Sequence, residues 1–266
     1  MSDTRARFYS RAFDIMDQVP LAKPVKEKDG SMRTTKKPNI TDARKLGLLP
    51  SVTTILDDVL AKGQSLMDWQ MDQVLNACID LPFNREKTEE EIKAYKIMIV
   101  AKSEEYRNFT ADRGKLLHAL VSRWIASKVV PDDPAALKAT GMIDSYLKGR
   151  EIESVSTEEP LGSVVHGFAG TPDINIKTKS GREIIDIKTT SFKSFKKPYD
   201  SWKFQLAAYD ILTESDPGTK LTQCVIDRDL GDCLFLEHER AEDWKKGFLS
   251  LFEVWTIINN YDPRKV

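Results

Sequence analysis

The segment EIIDIKTT, Glu183 to Thr190, sets Asp186 and Lys188 two residues apart, and GTPD, Gly170 to Asp173, offers a second aspartate upstream. Side chains at i and i+2 of a strand share a face, so Asp186 and Lys188 stand side by side while Ile185 and Ile187 turn away into a core. Between the two motifs, Thr178-Lys179-Ser180-Gly181 reads as a hairpin turn in which Gly181 is free to take a positive φ. A hairpin paired in this way carries Asp173 next to Asp186 from the neighbouring strand. Two carboxylates so placed repel, and each raises the pKa of the other unless a cation neutralises them. Hard oxygen donors of this kind suit Mg²⁺ or Mn²⁺, which retain water and bind phosphate oxygens. An ammonium beside such a centre can hold an attacking oxygen and offset charge growing on phosphorus. A bare D-x-K is more often an exposed ion pair on an edge strand, worth little energetically. The order GTPD, turn, DIK is what lifts this pair above that reading.

The elements that must hold these residues divide the chain by texture. Residues 1–45 are polar, punctuated by Pro20, Pro24, Gly30 and Pro38, and carry a local basic excess from Lys23, Lys26, Lys28, Arg33, Lys36 and Lys37. They read as a solvated, partly irregular lead-in, with a basic arm touching nucleic acid as the other reading. LLPSVTTIL (Leu48 to Leu56) opens the ordered body, with Thr53 or Thr54 as the cap of a helix carrying Leu56, Leu60 and Trp69. From about Glu86 to Ile125 the apolar spacing is helical. Ile92, Tyr95, Ile99 and Tyr106 mark one helix, and Leu116, Leu117, Leu120, Val121, Trp124 and Ile125 a second one that follows Asp112. After Pro131 and Pro134 a short helix covers residues 135–147.

Near Ile152 the pattern changes to short Val- and Ile-rich runs: ESVSTEEPLGSVV, GTPDINIK and REIIDIKTT. A helix (SWKFQLAAYDILT) follows Pro198, two further strands flank a turn at Asp229 to Gly231, and an amphipathic helix with Trp244, Phe248, Leu251, Phe252 and Trp255 closes the chain. The expectation is an α/β (α+β) fold with a helical N-terminal half and a central mixed β-sheet flanked by helices. No repeat and no linker-like composition break interrupts residues 46–266, which read as a single domain.

Composition narrows the setting rather than the function. The 266 residues are 41% apolar and 30% charged, with a formal net charge of −1, so no global field attracts a polyanion. Any nucleic acid would be held by local patches and bound metal. No apolar run approaches a membrane span, and the N-terminus lacks a secretory h-region, so the expected address is cytoplasmic with no membrane partner. Cys78, Cys224 and Cys233 form no metal-binding spacing and read as reduced thiols in or near the core.

Taken together, these residues resemble the PD-(D/E)xK nuclease superfamily, and within it the RecB-like and phage-type exonuclease branch. The resemblance runs from about Thr157 to Leu212, with one outpost near His118. GTPD is similar to the metal-binding aspartate motif and DIK to the catalytic D/E-x-K. QLAAY, Gln205 to Tyr209, matches the Q-x-x-x-Y motif that follows them, and GKLLH, Gly114 to His118, resembles the upstream helix that supplies a histidine ligand. Each motif is weak alone; their shared order and spacing carry the likeness.

The resemblance implies a restriction-endonuclease-like core and a deoxyribonuclease in which Asp173, Asp186 and Lys188 are catalytic, with water activated by one or two Mg²⁺ or Mn²⁺ ions. It implies metal ligands at His118, Asp173, Asp186, the carbonyl of Ile187, and a glutamate one strand earlier. Glu158 and Glu159 both stand there; alternation lets only one face the metal, and the distance to Asp173 fits Glu158 better. Gln205 and Tyr209 lie at i and i+4, so both can point toward one site, where an amide and a hydroxyl suit phosphate oxygens or the orientation of the lysine. Thr189 and Thr190 follow the lysine and can meet phosphate through their hydroxyls. Lys193, Lys196, Lys197 and Lys203, interleaved with Phe192, Phe195, Tyr199 and Trp202, form a candidate path for a DNA strand, with cations tracking phosphates and rings stacking on bases. A solvated loop with inward-packed rings is the competing reading of that stretch.

The cysteines are too few for the four-cysteine iron–sulfur cluster of some RecB-like relatives, and no P-loop motor motif occurs. The branch implies an exonuclease acting on single-stranded DNA or free ends, in phage or bacterial replication, recombination or repair, with a recombination or single-strand-binding protein as partner. The same metal core also serves structure- or sequence-specific endonucleases. A non-catalytic DNA-binding recombination accessory protein is the reading from another class, and the intact D…DxK argues against it.

Overall fold

The structure, a computed structural model, describes residues 8–27, 29–60, 64–81, 88–213 and 218–266. In chain order its elements are β1 (Phe8–Tyr9), β2 (Ile15–Met16), β3 (Val19–Lys26), β4 (Met32–Lys36), α1 (Ile40–Leu46), β5 (Leu49–Pro50), α2 (Val52–Val59), α3 (Gln64–Asp80), α4 (Glu89–Ser127) and α5 (Pro134–Leu147). Then come β6 (Ile152–Thr157), β7 (Leu161–Ser163), β8 (Phe168–Gly170), β9 (Ile174–Thr178), β10 (Gly181–Thr190), α6 (Asp200–Leu212), β11 (Lys220–Asp227), β12 (Cys233–Glu237) and α7 (Ala241–Ile258). These fall into two compact units, one built on Ala61–Ala119 and the other on Thr4–Leu60 with Leu120–Val266.

The first unit holds α3 and the N-terminal part of α4. Ala77, Ile99 and Leu117 are buried within it, the Tyr95 hydroxyl donates to the Leu81 carbonyl at 2.6 Å, and the Tyr106 hydroxyl donates to Asp80. The two helices expected on either side of Asp112 are one continuous helix. Asp112 favours a cap position in isolation, but the helix-forming residues around it and its i,i+3 contact with Lys115 at 3.3 Å keep it mid-helix.

The second unit is organised by a five-stranded sheet in the order β12-β11-β10-β9-β6. Its neighbours are antiparallel except β10 and β11, which run parallel. A parallel pair needs a crossover, and α6 supplies it, so the mixed sheet follows from one helix inserted between two strands. Ile184, on one sheet face, shares a core with Leu206 and Tyr209 of α6, Phe248, Phe252 and Trp255 of α7, and Val52, Ile55 and Leu56 of α2. A buried ion pair, Lys245 Nζ to Asp210 Oδ2 at 2.6 Å, ties α7 to α6 within that layer. On the opposite face Glu183 accepts from the Tyr146 hydroxyl at 2.7 Å, from Thr222 Oγ1 at 2.6 Å and from Arg150. Tyr146 also stacks on Phe235 at 3.8 Å, which seats α5 on this face.

Several sequence expectations change here. The stretch read as a partly irregular lead-in contains β1 to β4 and α1, and Phe8, Tyr9 and Val19 are buried. Its prolines tolerate this because β3 and β4 form an isolated two-stranded hairpin with a register shift between Pro20 and Val25. The cap of α2 is Ser51 rather than either threonine, because its hydroxyl accepts from the Thr54 N–H at 3.0 Å. Trp69 belongs to α3, a separate helix. Cys224 and Cys233 are buried free thiols as expected, whereas Cys78 is exposed. No described helix is long and apolar enough to cross a membrane.

Candidate active site

The β9–β10 hairpin pairs Gly181 with Thr178 through Ile185 with Ile174, and Gly181 takes φ 139° at the turn. Asp173 directly precedes the last paired residue, Ile174, and Asp186 directly follows its partner Ile185, so the two carboxylates come close where the ladder ends. The Asp173 carboxylate bonds across that step, its Oδ2 accepting the Ile187 N–H at 2.6 Å. Asp186 is buried at 1% exposure inside β10, and the Lys188 ammonium lies 2.7 Å from its Oδ2. Lys188 also donates to Gln205 Oε1 at 2.9 Å, and Gln205 Nε2 donates to the Tyr209 hydroxyl at 2.9 Å. The i,i+4 pair on α6 therefore acts as a unit, because the crossover lays this helix over the strand that bears the lysine.

The electrostatics follow from burial. Loss of water pushes the Asp186 carboxyl above the ordinary range; Lys188 works against that rise and Asp173 adds to it. Burial, then the nearby Asp186 and Asp173, push the Tyr209 phenol well above its ordinary value, so it stays protonated. Room for that ring comes from Gly170, where a Cβ would come within 2.6 Å of Tyr209 Cε1 and 3.1 Å of Val52 Cγ2. The first position of GTPD is thus a close-approach glycine.

Three contributors were not singled out by sequence. Gln223, fully buried on β11 opposite Asp186, donates from Nε2 to the Asp186 carbonyl at 2.7 Å and to Asp186 Oδ2 at 2.5 Å. An amide within the apolar run of LTQCVID is the signal that could have marked it. The Tyr9 hydroxyl bonds Thr171 Oγ1 at 2.8 Å across 162 residues, a contact with no local sequence signature. Asp227 accepts from the N–H groups of Phe192, Asp229 and Leu230 at 2.7, 2.9 and 2.8 Å, tying the segment after β10 to the β11–β12 turn. Burial alone would raise its carboxyl, but these donors outweigh burial and hold it below its ordinary value.

Glu158 N–H donates to the Asp173 carbonyl at 3.2 Å, directly beyond the Thr157–Ile174 pair, and its backbone takes φ 50°. Glu158 and Glu159 are both exposed. Thr189 and Thr190 are half-buried, and Lys193, Lys196 and Lys197 are exposed. Phe195 stacks on Trp202 at 6.1 Å and Tyr199 meets Trp202 edge-on at 5.0 Å, so these rings pack on one another beside the exposed lysines. The Lys203 ammonium is engaged by Asp200 at 2.8 Å and lies 4.6 Å from the centre of the Trp244 ring. His118 is half-buried on α4 and belongs to the first unit.

Among the described residues no group of three or more His, Cys, Asp or Glu could hold a metal ion. Mg²⁺ asks for less, commonly taking one or two carboxylates and completing its shell with water and substrate phosphate. Asp173 and Asp186 supply that pair, and beside Asp186 the Gln223 Oε1 is buried without a partner among the described residues. The donor set fits a hard divalent cation.

No family model matches this chain, and no curated protein does. Among solved structures it is similar to a protein called SSO0001, with 17% identity and a TM-score of 0.34 over 76% of this chain and 89% of that one. It is also similar to a Eubacterium rectale protein provisionally described as an exonuclease, with 11% identity and a TM-score of 0.38 over 57% of this chain and 68% of that one. At these TM-scores the likenesses carry no argument, and the case for function rests on the residues of the site.

Proposed function

We propose that this chain is a divalent-metal-dependent deoxyribonuclease that hydrolyses phosphodiester bonds, acting as an exonuclease on single-stranded DNA or free ends. The observation that carries the reading is the juxtaposition of Asp173 and Asp186 with the Lys188 ammonium 2.7 Å from Asp186 and 2.9 Å from Gln205. A surface ion pair would not be backed by a buried carboxylate and an oriented amide. Asp173 and Asp186 hold the cation, Mg²⁺ or Mn²⁺, with the Ile187 carbonyl and Glu158 as further donors. When bound, the ion makes a strong nucleophile from water at neutral pH and offsets the charge of the scissile phosphate.

Lys188 holds the attacking water and faces the charge that grows on the phosphoryl oxygens. Gln205 fixes the ammonium through its carbonyl oxygen, and the neutral Tyr209 phenol fixes Gln205 in turn. Thr189, Thr190 and the exposed Lys193, Lys196 and Lys197 meet the substrate backbone, while the Phe195–Trp202 cluster gives unpaired bases a surface to stack on. The test is digestion of end-labelled linear and closed circular single-stranded DNA with Mg²⁺, with EDTA as control. Loss of the linear substrate alone is expected. Cutting of the circle would make the protein an endonuclease, and no cutting with either Mg²⁺ or Mn²⁺ would overturn the reading.

A further inference from the structure

The orientation of Asp186 is set by a residue on the next strand. Gln223 faces Asp186 in the parallel β10–β11 register, and its amide N–H groups reach both the Asp186 carbonyl, at 2.7 Å, and its Oδ2, at 2.5 Å. One planar amide gripping the main chain and the carboxylate of the same residue fixes the side-chain torsions between them. The grip is costly. Gln223 is fully buried, and its Oε1 finds no partner among the described residues, an arrangement disfavoured against a satisfied group. Its neighbours Leu221, Cys224, Val225 and Ile226 are buried and apolar, and an apolar side chain here would remove the orphaned oxygen only by giving up both contacts to Asp186. A buried amide in an apolar strand, with both its contacts on one candidate ligand and its own oxygen unpartnered among the described residues, marks a role in the site.

We infer that Gln223 is a positioning residue that presents the Asp186 carboxylate to the divalent cation. This rests on the nuclease reading above, but the inference can be tested without turnover, by binding of Mn²⁺ to the full chain without DNA. Gln223→Met removes the donors and keeps the volume. It should melt cooperatively and bind Mn²⁺ about 10–100-fold more weakly than the wild type, the range for loss of a partner behind a metal ligand. Gln223→Asn keeps an amide on a stem too short for both contacts and should bind more tightly than Gln223→Met and less tightly than the wild type. Equal Mn²⁺ affinity in the wild type and a cooperatively folded variant would overturn the role of Gln223 alone. Failure of both variants to fold would make Gln223 a stability residue and likewise overturn it. A wild-type chain that binds no Mn²⁺ would overturn this inference together with the reading beneath it.

Discussion

Lys188 donates to two acceptors, Asp186 Oδ2 and Gln205 Oε1, and so has one defined place above the paired carboxylates. Gln205 spends its carbonyl on the lysine and its amide on Tyr209, which leaves its orientation no freedom. Gln205→Leu should therefore lower the single-turnover cleavage rate about a hundredfold, the scale of a misplaced reacting group. Tyr209→Phe keeps the Lys188–Gln205 contact and should cost less. Single-turnover rates at saturating Mg²⁺ decide this, and equal losses would give the phenol a direct role instead. Asp186 and Lys188 were readable in sequence because strand alternation puts both on one face; Gln205 and Tyr209 were marked by the resemblance of QLAAY to the Q-x-x-x-Y motif, and helix periodicity then puts that pair on one face. Gln223 and Tyr9 were not, since their contacts depend on which distant strand lies alongside.

At the scale of elements, the hairpin from β9 to β10 was the most readable part of the fold. Its turn chemistry and strand alternation agree, and they set the register that brings Asp173 to the end of β9 beside Asp186. Capping and helix breaks were less readable, because a residue such as Asp112 or Thr53 has a local preference that its neighbours overrule. The segment after β10 depends on Asp227, which gathers three backbone N–H groups. Asp227→Asn should destabilise the protein by about 1–3 kcal/mol at neutral pH by leaving at least one of those donors unmatched. Because the folded Asp227 titrates below its ordinary value, its contribution is complete above the ordinary carboxylate range and is lost as pH falls through the lowered value. Urea unfolding of both proteins should thus show a gap that is constant near neutrality and closes in acid. A gap that widened toward acid would contradict the assignment.

For the whole molecule, the second unit places the candidate site and a second buried polar cluster on opposite sheet faces. The face under α6 carries Asp186, Lys188 and their partners; the face under α5 carries the buried Glu183 with Tyr146, Thr222 and Arg150. Arg150→Ala leaves Glu183 with neutral donors only and should cost about 2–4 kcal/mol of stability. The cleavage rate per folded molecule should stay unchanged, as read by chemical denaturation alongside initial rates. Composition foresaw neither this division nor the strands of residues 8–36, whose many lysines and prolines suggested solvent rather than structure. Burial of Phe8 and Tyr9 there shows that a few well-placed rings outweigh average polarity.

In the proposed nuclease, Lys188, set between Asp186 and Gln205, drives metal-dependent hydrolysis of DNA. The most direct test of that role compares cleavage of linear single-stranded DNA by the wild type and Lys188→Ala at saturating Mg²⁺, with DNA affinity measured in parallel. The variant's rate should be lower by about 10²–10⁴-fold, with affinity within about twofold. A Lys188→Ala protein that cleaves at the wild-type rate would contradict that role.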